Sequence, residues 1–207
     1  MNAKSVKALA GLDPVLGELM SRHGPIRLQP RRLPPYQSLT RSVIFQQLSG
    51  KAAETILGRF LALFPGRPFP EPEQVLDTDI ERLRAAGLSR PKARYLHEIA
   101  THTVAGRVPD VDECDGLSDA ELVERLTAIK GVGRWTVEML LIFNLGRPDV
   151  LPVLDLGVRR GFQLAYRRRQ MPTPDALERF GQRWRPHRST AALYLWRAVD
   201  GDADGGW

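Results

Sequence analysis

The 207-residue chain carries 30 lysines and arginines against 24 aspartates and glutamates, which gives a net charge of +6 and a pI near 9.9. This balance favours an anionic partner, and the ordinary composition favours a globular protein with a sizeable core. The single cysteine, Cys114, excludes an internal disulfide and any cysteine-based metal or iron–sulfur site. Because no apolar run reaches membrane-spanning length and the N-terminus lacks a signal-peptide pattern, we expect a cytoplasmic protein without a membrane partner.

Apolar residues recur at helical spacing along most of the chain, and no segment alternates with a period of two for long enough to build a sheet. The capping box from Ser118 to Glu121 and the Thr173-Pro174 pair mark helix starts. The predicted helices span, in chain order, residues 13–22, 34–48, 51–64, 72–76, 79–86, 91–104, 118–129, 134–145, 155–166, 173–184 and a last segment after Pro186. We therefore predict an all-α protein that forms a single domain, 1–207, with 201–207 as a frayed tail.

The most informative segment is the turn Lys130-Gly131-Val132-Gly133 between two predicted helices. Its glycines present backbone N–H groups at a helix N-terminus, which is a favourable place for a phosphate. Taken alone, such a turn is more often a helix C-cap that joins two helices. Leu126 and Ile129 before it and Val137 after it extend the match to the helix–hairpin–helix DNA-binding pattern, at about 118–145. The residues predicted to hold the DNA backbone are Lys130, Gly131, Val132, Gly133 and Arg134.

Basic charge is concentrated after the hairpin. Between Arg159 and Arg188 there are nine arginines, while the acidic residues are Asp175 and Glu178. A phosphate backbone could lie along such a stretch, although a solvated arginine-rich surface explains it as well.

Pro152 and Asp155 follow the hairpin at a fixed chain distance, and four further segments carry recognisable blocks. The blocks are VIFQQLSGKAA (43–53), AGLSRPKARYL (86–96), GRWTVE (133–138) and RWRPHRSTAALYLW (183–196). Together they resemble the helix–hairpin–helix Gly/Pro…Asp superfamily of DNA glycosylases, and within it the 3-methyladenine DNA glycosylase II branch. The similarity runs from about residue 34 to residue 200, in the order expected for that family.

The resemblance implies two helical lobes around a cleft for DNA and a flipped base. It also implies monofunctional hydrolysis of the N-glycosidic bond of alkylated bases, of the 3-methyladenine and 7-methylguanine type, which leaves an abasic site in duplex DNA. Asp155 would be the catalytic carboxylate, although it could simply cap the helix that follows it. Trp135, Trp196 and Met139 would line the base pocket, whereas Trp184 is expected in the core.

A wedge that fills the gap left by the flipped base is expected at the break between the second and third predicted helices. The resemblance favours Gln47 or Leu48 as the inserted side chain. The alternative is that Leu48 belongs to the core and that the neighbouring glutamines cap a helix end.

Departures from the family pattern refine these expectations. Relatives with a lyase step carry a nucleophilic lysine where this chain has Trp135, and Lys130 is poorly placed to replace it. We expect no lyase step, no iron–sulfur cluster, no required cofactor and no N-terminal β-domain, because only some thirty residues precede Pro34. A structural Na⁺ or K⁺ at the hairpin carbonyls is implied by the resemblance, with its ligands unidentified.

The expected partner is double-stranded DNA, bound by a monomer associated with the nucleoid. Two other functions stay open at this point. The chain could be a glycosylase for a deaminated, oxidised or mismatched base, or a non-catalytic helix–hairpin–helix module that only binds DNA.

Overall fold

The computed structural model of the chain describes residues 3–26 and 28–200. Every regular element within these residues is helical, so the all-α prediction is confirmed. The tail predicted at 201–207 lies outside the described residues. Over the two described ranges, no helix combines the length and the apolar character that crossing a membrane requires.

The described residues form α-helices α1 to α13 together with a π-helical turn and a 3₁₀ turn. In chain order the helices are α1 (Ala3–Leu12), α2 (Pro14–His23), α3 (Pro35–Phe45), α4 (Gly50–Ala62), α5 (Pro72–Leu76), α6 (Ile80–Ala85), α7 (Arg90–Val104), α8 (Val111–Gly116), α9 (Asp119–Thr127), α10 (Arg134–Met139), α11 (Leu156–Ala165), α12 (Pro174–Gly181) and α13 (Arg188–Asp200). The π-helical turn, Leu140–Asn144, continues α10, and the 3₁₀ turn, Gln182–Trp184, continues α12. All the predicted helices are present, with shifts at several of their ends.

Two observed helices, α1 and α8, are not among the predicted ones. Helix α8 begins with a capping box in which the Asp110 carboxylate accepts the Glu113 N–H at 2.8 Å and the Glu113 carboxylate accepts the Asp110 N–H at 3.2 Å. This D-x-x-E pattern was visible in the sequence and is the signal that could have located α8. The helix is too short for an apolar stripe to reveal it.

The helix predicted over 134–145 changes character at Met139, where α10 ends and the π-helical turn begins. All side chains from 136 to 142 are buried. A segment that is buried on every side gives no periodic signal for a widened turn, so the sequence could not place the change.

The described residues group into two compact units. The central unit runs from Arg31 to Leu140, and the terminal unit combines the residues up to Pro30 with those from Leu141 onward. In the central unit, α7 packs against α3, α5 and α6, while α10 packs against α3 and α9. Its core contains fully buried aliphatic side chains, among them Leu39, Ile44, Leu96 and Ile99.

The terminal unit is built on a close contact between α11 and α13. Gly157 and Gly161 lie one turn apart on the face of α11 that meets α13. A Cβ atom at Gly161 would lie 1.9 Å from the carbonyl oxygen of Leu195, and one at Gly157 would lie 2.8 Å from Cδ1 of Trp196. The two glycines therefore allow the backbone of α13 to approach α11 more closely than any larger residue would.

A buried carboxylate, Asp13, joins three parts of the terminal unit. Its Oδ1 caps α2 by accepting the Val15 N–H at 3.1 Å, and its Oδ2 accepts the Tyr166 hydroxyl at 2.6 Å and the Trp184 indole N–H at 2.9 Å. Burial and this carboxylate raise the pKa of the Tyr166 phenol, which keeps it a donor. Trp184 is fully buried, so its predicted place in the core is confirmed.

We expect Gly161→Ala to destabilise the protein by about 1–3 kcal/mol, because the added methyl group collides with the backbone of α13. Gly58→Ala is the matched control, since Gly58 is exposed within α4 and has open space around its Cα, so the change should stabilise by about 0.5–1 kcal/mol. Denaturant unfolding of both variants measures the difference. Equal stability of the two variants would show that α11 and α13 are not held at this distance.

Candidate active site

Asp155 occupies the N-cap of α11, in the terminal unit, with its side chain half-buried. Its Oδ1 accepts the backbone N–H of Val158 at 2.8 Å and the indole N–H of Trp196 at 2.8 Å. The capping role considered from the sequence is therefore confirmed. The same two donors fix the orientation of a carboxylate that remains partly open to solvent, and hydrogen bonds of this kind strengthen when the acceptor is ionised.

Trp196 comes from α13 and reaches Asp155 across the glycine contact described above. Its ring lies 5.6 Å from the Phe143 ring, centroid to centroid, and only 8% of the residue is exposed. The sequence predicts a place in the base pocket for Trp196 but not its hydrogen bond to Asp155. The glycines at 157 and 161 indicate a close helix contact on α11, but they do not identify the residue that donates to Asp155.

A short turn positions Asp155 after Pro152, whose carbonyl oxygen accepts the Asp155 N–H at 3.0 Å. The preceding loop is fixed by α13. Arg188, 9% exposed, donates from Nε to the Asp149 carboxylate at 2.8 Å and from an Nη to the Asp149 carbonyl at 2.8 Å. The Ser189 hydroxyl accepts the Val150 N–H at 2.9 Å. The Arg-Ser pair of the last sequence block thus supports the loop that delivers the acid.

The predicted hairpin is present in the central unit, although α9 ends at Thr127 rather than at residue 129. Gly131 has a φ of +92°, and a Cβ atom there would lie 2.1 Å from the Tyr95 ring. Val132 is 3% exposed and fills the turn from inside. Gly133 is the N-cap of α10, is exposed and has open space around it. The backbone at the start of α10 is therefore accessible to a phosphate, as the motif requires.

The two charged residues of the hairpin are both exposed but differ in their contacts. Arg134 donates from Nε to the buried carboxylate of Glu138 at 2.9 Å, so part of its guanidinium is used within α10. Lys130 lies on the turn, where it could meet a phosphate.

The predicted wedge turn also lies in the central unit, between α3 and α4. Gln47 is exposed and has a φ of +57°, and Leu48 is 39% exposed. The alternative that Leu48 belongs to the core is therefore wrong. Gln46, in contrast, points its side-chain amide at the hairpin and donates to the Gly131 carbonyl at 3.3 Å and to the Thr136 hydroxyl at 3.1 Å.

The remaining predicted pocket residues lie on α10 in the central unit. Trp135 is half-buried, and Met139 is 5% exposed. Their role as pocket walls stays a prediction.

The carbonyl groups of the hairpin turn are neutral oxygen ligands, which are of the kind that bind a monovalent cation. The Gly131 carbonyl already accepts the Gln46 amide, and the Ile129 carbonyl accepts the Val132 N–H at 3.0 Å. Over the described ranges, no cluster of three or more His, Cys, Asp or Glu side chains could hold a metal ion. A cation at the turn stays a prediction.

The arginine-rich stretch is only partly available to a ligand. Arg188 is buried in its contacts with Asp149 and Glu178, and the Arg183 guanidinium lies 3.8 Å from the centroid of the Phe180 ring. Exposed arginines of the stretch include Arg167, Arg168 and Arg169.

Comparison with known proteins identifies the class to which these features belong. A family profile for HhH-GPD superfamily base excision DNA repair proteins matches residues 40–187. That range contains the wedge turn, the hairpin and Asp155, and the chain belongs to this superfamily. The resemblance inferred from the sequence blocks is thereby confirmed.

Individual relatives are similar over nearly the whole chain. DNA-3-methyladenine glycosylase 1 of Schizosaccharomyces pombe is 43% identical over 192 residues, which cover 91% of this chain and 84% of that protein. A solved structure of the S. pombe 3-methyladenine DNA glycosylase Mag1 in complex with abasic DNA superposes with a TM-score of 0.89 at 42% identity, and covers 94% of this chain and 96% of that one. A DNA-3-methyladenine glycosidase from Bacillus halodurans gives a TM-score of 0.83 at 37% identity, with 99% and 93% covered.

We expect Gly133→Asn to weaken binding to undamaged duplex DNA while the protein remains as stable as the wild type. Asparagine is a good N-cap, but its side chain would compete with a phosphate for the N–H groups in the first turn of α10. The slope of the logarithm of the binding constant against the logarithm of the salt concentration should become shallower by about the amount that one phosphate contact contributes.

Gly116→Asn is the matched control, because Gly116 is also exposed with open space around it. Fluorescence anisotropy over a range of salt concentrations measures both variants. Unchanged affinity and salt dependence for Gly133→Asn would remove the hairpin from the DNA interface.

Proposed function

We propose that the chain is a monofunctional DNA glycosylase that hydrolyses the N-glycosidic bond of alkylated bases, of the 3-methyladenine and 7-methylguanine type, in duplex DNA. The observation that carries the proposal is the half-buried Asp155 carboxylate, held by the Val158 N–H and the Trp196 indole. Its support comes from a relative named DNA-3-methyladenine glycosylase 1 that is 43% identical over 91% of this chain.

The carboxylate fits the charge that develops during this reaction. As the bond from the base to C1′ breaks, the deoxyribose acquires oxocarbenium character, and an ionised carboxylate near C1′ stabilises that positive charge. Asp155 can also orient the attacking water and accept a proton from it. The bond electrons leave with the base, and the hydroxyl group from water becomes attached to C1′ of the abasic product.

The proposed substrate class follows from the leaving group. A 3-methyladenine or 7-methylguanine base carries formal positive charge, so it departs as a neutral molecule and needs little protonation. An aromatic wall attracts such a cationic base by about 0.5–2 kcal/mol. We propose Trp135 for this wall, with Met139 as a further pocket residue and Trp196 as the donor that supports the acid.

Binding to duplex DNA is proposed to use main-chain groups of the hairpin and the exposed wedge turn. The hairpin would hold the strand without reading its sequence, since its contacts are with phosphates. The side chain proposed to fill the gap left by a flipped base is that of Gln47 or Leu48, both of which are exposed at this turn.

The proposal also covers the absence of a lyase step, the cofactors, the oligomeric state and the compartment. No lyase step is expected, because Trp135 replaces the nucleophilic lysine. We propose a monomer with no required cofactor, with an Na⁺ or K⁺ at the hairpin carbonyls, that works in the compartment where the DNA lies, which is the cytoplasm with its nucleoid.

We expect Asp155→Asn to keep the fold and the affinity for DNA and to lose base release. An amide oxygen can still accept the Val158 and Trp196 N–H groups, but it carries no charge to stabilise the sugar. Release of 3-methyladenine and 7-methylguanine from methylated duplex DNA is measured in single turnover, with Asp175→Asn, an exposed aspartate of α12, as the matched control.

Each outcome of that assay is decisive. Undiminished release by Asp155→Asn would remove Asp155 from catalysis. Release by the wild type from deaminated, oxidised or mismatched duplexes alone would establish a different glycosylase, and no release from any lesion would leave a DNA-binding module. Borohydride trapping of a protein–DNA adduct would overturn the absence of a lyase step.

We expect Trp196→Phe to slow base release by about 10- to 100-fold, because it keeps the ring packing against Phe143 but removes a hydrogen bond to a charged group. Trp184→Phe is the matched control, since Trp184 also donates its indole N–H to an aspartate, Asp13, but in the core. That variant should lose stability and keep its single-turnover rate. An unchanged rate for Trp196→Phe would show that the indole does not support the acid.

A further inference from the structure

The residue before the wedge, Gln46, is held through both of its backbone polar groups and through its side-chain nitrogen. Its backbone N–H donates to the Ser42 carbonyl at 3.1 Å, and its carbonyl accepts the ammonium group of Lys92 at 2.7 Å. Its side-chain amide donates to the Gly131 carbonyl at 3.3 Å and to the Thr136 hydroxyl at 3.1 Å. Gln46 therefore connects the C-terminal end of α3 with both the turn and the second helix of the hairpin.

Lys92 completes this connection from α7. Its half-buried ammonium also donates to the Ile44 carbonyl at 2.8 Å, so one side chain satisfies two carbonyls at the end of α3 that have no partner within the helix. A cation at this end of a helix is also favoured by the helix dipole. Burial lowers the pKa of the Lys92 ammonium, in keeping with its place beneath the turn rather than on the surface.

The exposed part of the wedge turn begins immediately after this anchored residue. Gln47 has a φ of +57°, a conformation that a non-glycine residue adopts only when its surroundings hold it there. The anchors of Gln46 supply that restraint on one side. The wedge is thus presented by a rigid connection to the hairpin rather than by a free loop.

We propose that Gln46 is a positioning residue that sets the distance between the wedge and the phosphate-binding turn. This inference rests on the proposed function. In a flipping enzyme the wedge must enter the stack at a fixed number of nucleotides from the phosphate that the hairpin holds. The Gln46 amide spans these two elements directly, so it determines which gap in the strand the wedge meets once the phosphate is bound.

The test is a double-mutant cycle between Gln46 and the wedge. Gln46→Met keeps the length and volume of the side chain but removes the hydrogen bonds to Gly131 and Thr136. It should slow single-turnover base release by about 10- to 100-fold, the range expected for small misplacements. Affinity for undamaged duplex should change less than about threefold, because the phosphate contacts remain.

A positioning role is distinguished from a purely structural role by measuring the effect of Gln46→Met in a protein that lacks the wedge side chains. In the double variant Gln47→Ala, Leu48→Ala, the further change Gln46→Met should have little effect, because there is no wedge left to position. An equal loss from Gln46→Met with and without the wedge, or no loss in either background, overturns the proposal. Gln37→Met, on α3, is the matched control and should leave the rate unchanged, and thermal unfolding verifies that every variant is folded.

A second measurement needs no catalysis, so it distinguishes failure of this inference from failure of the proposed function. A duplex that contains an abasic-site analogue beside 2-aminopurine reports unstacking as a fluorescence increase on binding. Wild-type protein should give the increase, and Gln46→Met, at saturating concentration, should give less than half of it. A signal from Gln46→Met equal to that of the wild type would overturn the positioning role even if the protein released no base.

Discussion

The close approach of α13 to α11 is the constraint on which the proposed chemistry depends. Because Gly157 and Gly161 carry no side chains, Trp196 can rest on the first turn of α11 and donate its indole N–H to Asp155 at 2.8 Å. The same carboxylate caps the helix, so its position is determined by the backbone as well as by the indole. The packing of α13 against α11 therefore orients the Asp155 carboxylate. A residue larger than glycine at this contact would alter the helix packing and the orientation of the acid.

Several residues of the sequence blocks support the site rather than contact a substrate. Arg188 and Ser189 hold the loop that ends at Asp155, and Lys92 holds the end of α3 from which the wedge turn departs. The number of arginines counted from the sequence therefore overstates the positive charge that is available to DNA, since Arg188 is buried in ion pairs with Asp149 and Glu178. The proposed DNA interface uses backbone N–H groups of the hairpin, which would contact phosphates rather than bases.

The sequence predicted those features that local patterns specify. Helix order, the hairpin glycines and Asp155 as a helix start all depend on residues within a few positions of one another. The contacts of Trp196 with Asp155 and of Gln46 with Gly131 join residues 41 and 85 positions apart, and no local pattern reports them. The π-helical turn after α10 has no local signal, because the residues from 136 to 142 are buried on every side. Helix α8 was missed although the sequence contains its capping box.

The central claim is that the Asp155 carboxylate faces the positive charge that forms on the deoxyribose. Its most direct test is the affinity for two duplexes that differ only at the lesion, one with a cationic pyrrolidine abasic analogue and one with a neutral tetrahydrofuran analogue. Wild-type protein should prefer the cationic analogue by about tenfold or more, and Asp155→Asn should lose that preference while binding the neutral duplex as before. A preference that survives intact in Asp155→Asn would contradict the account.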